Sequence, residues 1–71
     1  MDAWIRRQTG SFEAEPCRVL DVSRTGVRLE AANAYSIPKK FLLLFAKDDA
    51  GHNATVKWRR GTQIGAEFSK T

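Results

Sequence analysis

The chain has one cysteine and one histidine among its 71 residues. The lone Cys17 excludes an internal disulfide framework and fits a reducing compartment, so a cytoplasmic location is expected. One histidine beside one cysteine removes the usual donors of a zinc site, and Asp48, Asp49, His52 and Asn53 lack the spacing of a calcium loop. No long apolar stretch exists either. The longest run, Phe41 to Ala46, falls far short of the roughly 20 residues of a membrane span. The first residues, with Asp2, Arg6 and Arg7, have no apolar core of the kind a secretory leader carries. No Ser/His/Asp order and no phosphate-cradling glycine loop is visible, and so small a chain has little room for a water-excluding cleft. Catalysis and a resident cofactor are therefore not expected.

What is present argues for one packed domain over residues 1–71. Four Phe, two Trp and one Tyr are too many for a chain that never packs. At this size folding hides only about 60% of the unfolded surface, so one core must carry nearly all the stability. The formal charge of +4 is uneven: residues 1–35 hold five Arg against five acids, and residues 36–71 hold seven Lys/Arg against three. An anion-attracting surface should draw on the second half. Its partner would be a nucleotide, nucleic acid, a membrane surface or an acidic protein.

The spacing is that of strands almost throughout. Val27, Leu29 and Ala31 alternate with Arg28 and Glu30; Ala54, Val56 and Trp58 with Thr55, Lys57 and Arg59; Ile64, Ala66 and Phe68 with Gln63, Gly65 and Glu67. Phe41 to Phe45 is apolar on both faces and reads as a strand covered on both sides. Pro16 to Val22 and Ala3 to Arg7 complete six. Turn signals fall between them at Thr9-Gly10-Ser11, Ser23 to Gly26, Asp48 to Gly51 and Arg60-Gly61-Thr62, with Ala32 to Pro38 the longest connection. The spacing predicts an all-β, small antiparallel barrel, because closing the sheet removes edges that a domain this small cannot cover. The expected core is Trp4 or Ile5, Val19, Leu20, Val27, Leu29, Phe41, Leu43, Phe45, Val56, Trp58, Ile64, Ala66 and Phe68.

One motif stands out. Asp21-Val22-Ser23-Arg24-Thr25-Gly26 has the form D-x-S-x-x-G at a strand junction. As plain structure it is a turn, with Asp and Ser bonding their own backbone and Gly supplying a positive φ. As a site it presents a carboxylate and a hydroxyl at a strand end, suited to accept the hydrogens of a guanine edge. Gly26 would let a flat base come close.

The wider pattern resembles the PilZ domain family. The match runs through Cys17 to Leu29 around that motif, Ile37-Pro38 before Phe41-Leu42-Leu43-Leu44, Val56-Lys57-Trp58, and Ile64-Gly65-Ala66-Glu67-Phe68. The resemblance implies a six-stranded barrel, often followed by a C-terminal helix that this sequence lacks, and binding of the bacterial second messenger cyclic di-GMP. It implies that Asp21, Ser23 and Gly26 hold the guanine edge. The family's messenger-binding members also carry an R-x-x-x-R segment ahead of the first strand, which this sequence lacks. Two such arginine contacts contribute roughly 3–6 kcal/mol, or about two to four decades of affinity, so messenger binding is expected to be weak or lost. Arg6, Arg7 and Arg24 are the candidates to neutralise phosphate in their place, with Arg28, Arg59 and Arg60 in reserve.

Two rivals follow from the residues. The first is a messenger-independent protein-interaction barrel whose basic half, with Arg59 and Arg60, meets an acidic partner. The second, ranked last, is a small basic nucleic-acid-binding barrel, disfavoured by the few aromatics on the expected wet faces.

Overall fold

A computed structural model describes residues 1–7, 14–46 and 49–69, with the side chain of Arg7 outside that set. Six strands form: β1 (Asp2–Arg7), β2 (Ala14–Val22), β3 (Gly26–Glu30), β4 (Lys40–Leu44), β5 (His52–Arg60) and β6 (Gln63–Phe68). They close, all antiparallel, into a barrel in the order β1-β2-β3-β6-β5-β4, with β4 pairing back onto β1. The expected turn at Thr9-Gly10-Ser11 and the residue Asp48 lie outside the described residues. The β5–β6 hairpin turns tightly at Gly61 and Thr62, where Gly61 takes the left-handed φ of +58° that a side chain resists.

β3 and β4 lie on opposite sides of the barrel, so the chain between them must cross one end. This connection carries a single 3-10 turn, Ala34–Ser36, and sinks Ala34 and Ile37 into the core. The guanidinium of Arg59 fixes it, its Nη1 donating to the carbonyls of Ala34 (2.7 Å) and Tyr35 (3.1 Å). That end is plugged.

A six-stranded barrel is narrow, and its filling alternates large with small. Phe41, Leu29, Leu43 and Ile64 are fully buried, and Ala3, Ala31, Ala54 and Ala66 fill the gaps between them. Every fully buried charge is avoided among the described residues. Cys17 belongs to this filling; burial, and secondarily the charge of Asp2, pushes its thiol up to about 11.

Several core expectations are corrected. Ile5 is buried and Trp4 only half so; Phe45, Val56 and Phe68 pack against the core from partly open positions. Leu20 and Trp58 are exposed, by 37% and 43%. Leu20 follows the inward Val19 and lies outside by plain alternation, whereas Trp58 is turned outward by a β-bulge; β2 and β5 each have one. The register slips between Val19 and Asp21 in β2, and between Val56 and Trp58 in β5. An extra residue reverses the inward-outward alternation beyond it, which strict period-two reading cannot foresee. β4 is covered on both faces as expected. Phe41 and Leu43 enter the core, while Leu44, fully buried, and Leu42 lie on the outer face under Gly51.

Candidate ligand-binding face

The D-x-S-x-x-G turn joins β2 to β3 at the end opposite the plug. The amide of Ser23 donates to the Gly26 carbonyl (2.8 Å). The Ser23 hydroxyl oxygen accepts from the amides of Thr25 (3.3 Å) and Gly26 (3.2 Å). Ser23 therefore holds the turn. Gly26 has no positive φ, contrary to the expectation for this turn; a Cβ there would lie 2.8 Å from the Ala66 carbonyl oxygen, so glycine is needed for close approach of β3 to β6. Asp21 makes no bond to its own backbone among the described residues, and its carboxylate is exposed.

The bulge at Leu20 determines where Asp21 points. Without it Asp21 would share the inward face with Val19; with it, Asp21 stands opposite Arg28 on the outer face. Arg28 pairs in turn with Gly65, and Gly65 with Trp58. The second bulge, at Lys57, brings Trp58 outward into this row. A Cβ at Gly65 would overlap the indole nitrogen, so Trp58 lies down across β6 only because position 65 is glycine. Asp21, Arg28 and Trp58 thus form one cross-strand row, three strand spacings or about 14 Å long. No ion pair joins Asp21 to Arg28 among the described residues. Lys57 and Glu67 flank the indole as an exposed pair at 4.0 Å. Sequence reasoning placed Trp58 in the core; the signal that it faces outward is the glycine opposite it, legible only once the register is known.

The other named residues are divided by the barrel. Arg24 lies in the turn itself, exposed, beside Asp21 and Ser23. Arg6 pairs with Ala14 and Leu42 near the plugged end, seven strand positions and about 23 Å along β2 from Asp21. The backbone of Arg7 lies one step further, opposite Phe41. The fold does not bring these two arginines to the motif. The Nε of Arg6 is buried without a hydrogen-bond partner among the described residues.

Beside the turn is a groove of about 440 Å³ whose walls include Val22, Arg24, Phe45, His52 and Phe68. His52 meets both phenylalanines edge-on, with centroids at 5.4 and 6.2 Å. Asp49 anchors it, with Oδ2 3.5 Å from His52 Nε2. The carboxyl of Asp49 is held below its ordinary range, first by the amide of Gly51, then by that of Phe45, with His52 adding a smaller pull.

No protein-family model, curated protein or solved structure matches this chain. No group of three His, Cys, Asp or Glu side chains that could hold a metal occurs among the described residues, and no helix there is long and apolar enough to cross a membrane.

Proposed function

We propose that this domain is a non-enzymatic, receptor-like module of the PilZ type, working in the cytoplasm in bacterial second-messenger signalling, with a guanine nucleotide of the cyclic di-GMP kind as its ligand. The observation that carries this reading is the row Asp21–Arg28–Trp58, aimed outward by two separate bulges. Its chemistry suits such a ligand. A carboxylate accepts both hydrogens of a guanine edge, a guanidinium meets phosphate, and an indole gives a base a stacking surface. Arg24 adds a second cation beside Asp21, and Ser23 and Gly26 serve by shaping the turn. In this reading Arg28 and Arg24 do the work first assigned to Arg6 and Arg7. Stacking contributes roughly 1–3 kcal/mol per base and each charge-assisted arginine contact roughly 1.5–3 kcal/mol.

Calorimetric titration with cyclic di-GMP tests the reading. Binding should be weakened at least tenfold by Asp21→Ala, Arg28→Ala and Trp58→Ala alike, each variant melting as the parent does. Absence of binding by the folded parent overturns the proposal, and binding indifferent to all three variants overturns the site. The second reading, a messenger-independent barrel that meets an acidic protein, is favoured by the distance of Arg6 from the motif. In that case Arg60, exposed at the hairpin, is the residue to reverse, because Arg59 is engaged in holding the plug.

A further inference from the structure

The plugged end of the barrel has a charge character of its own. Three strand ends that are far apart in sequence carry cations there: Arg6 near the end of β1, Lys39 and Lys40 at the start of β4, and Arg59 and Arg60 at the end of β5, with Arg60 five positions and about 16 Å along β5 from Thr55, the partner of Lys40. Lys39, Lys40 and Arg60 are exposed. The acids near this rim, Glu15 and Glu30, are half-buried, whereas the exposed acids Asp2, Asp21 and Glu67 lie on the wall and toward the other end. The strand ends of a closed barrel surround that end, so these cations are spread around it on three strands rather than clustered. The plug crosses that end and presents Tyr35, 83% exposed, the most exposed of the large apolar side chains among the described residues. Nothing in the packing requires this, since the neighbouring Ala34 and Ile37 do the filling. The two bonds from Arg59 to the Ala34 and Tyr35 carbonyls hold the tyrosine's backbone in place.

We infer that this end is a docking surface for an anionic lipid bilayer. A plane of anionic headgroups meets cations from three strands at once, and a tyrosine with a wet hydroxyl and an apolar ring suits the headgroup layer. Single-stranded nucleic acid fits less well, because it wants successive stacking platforms along a groove and the plug offers one aromatic. The surface is separate from the Asp21–Arg28–Trp58 row and does not depend on what that row binds.

Co-sedimentation with vesicles tests this. The whole chain should bind vesicles that mix phosphatidylglycerol with phosphatidylcholine, be released by added salt, and ignore pure phosphatidylcholine. Each surface cation is worth about fivefold in partitioning, so Lys40→Glu with Arg60→Glu should weaken binding at least twentyfold. Tyr35→Ser should weaken it severalfold with no change in melting temperature, and Asp21→Ala should leave it unaltered. The inference is overturned by failure to bind anionic vesicles or by equal binding of the double variant. It is also overturned if the chain prefers a single-stranded oligonucleotide, with Tyr35 irrelevant.

Discussion

The two ends of this barrel are made by the same six strands and differ in what they bury. One end is stopped with apolar side chains: Ala34 and Ile37 descend into the core and Arg59 ties the crossing segment from outside. The other carries the polar β2–β3 turn, whose hydrogen bonds run through the Ser23 hydroxyl and leave Asp21, Val22, Ser23, Arg24 and Thr25 exposed. Burial at the first end supplies stability. At the second, little is buried, so residue types there are free to be chosen for contact with something else.

The largest difference should appear on truncation. Ile37→Ala empties a fully enclosed site at the plug and should cost about 2–5 kcal/mol. Val22→Ala, at the exposed turn, should change stability by about 0.5 kcal/mol or less. Equal losses in denaturant melts would contradict the contrast.

Next come the two glycines that line up beside the candidate row. Gly26→Ala drives a Cβ into the backbone carbonyl of Ala66, which cannot swing away, and should cost about 1–3 kcal/mol. Gly65→Ala meets only the indole of Trp58, which can turn outward. It should cost less in chemical denaturation while shifting tryptophan fluorescence, and it should remove the stacking surface. Replacing Arg59 by Met loosens the plug without emptying it. The loss of two partly exposed hydrogen bonds should cost about 1–2 kcal/mol.

The smallest effect concerns acid. Asp49 has a lowered carboxyl pKa in the fold, so its contribution is present above the ordinary value near 3.8 and is lost as pH falls through the lower folded value. Asp49→Asn should therefore flatten the melting temperature of the turn-end groove against pH below about 4, where ordinary aspartates titrate. An unchanged acid limb would mean that the bonds from the Gly51 and Phe45 amides add nothing.

Much of this architecture was legible in the residues. Alternation at 27–31, 54–58 and 63–68, the double-faced run at 41–45 and the strand runs at 16–22 and 3–7 suffice for six strands in a closed sheet. The hidden part lies at the two bulges. Val19, Leu20 and Asp21 read as a regular strand, as do Val56, Lys57 and Trp58, because a bulge leaves no mark in hydrophobic spacing. That is why Trp58 was expected inside and Arg28 was not singled out with Asp21; Leu20, also expected inside, lies outside by plain alternation next to the inward Val19. The distance between Arg6 and the motif was likewise invisible, since it depends on which ends of β1 and β2 meet. Ala34 and Ile37 were missed because a connection that fills a barrel end carries no periodicity to read.

If Asp21, Arg28 and Trp58 act as one ligand-binding row, a bound nucleotide must touch all three strands that carry them. Amide and indole chemical shifts of the isotope-labelled chain, followed during titration with cyclic di-GMP, test it most directly. The largest shifts should fall on Asp21, Arg28, Gly65 and the Trp58 indole, with Ile37 and Arg60 at the plug unmoved. Shifts confined to the plugged end, or none at saturating ligand, would contradict it.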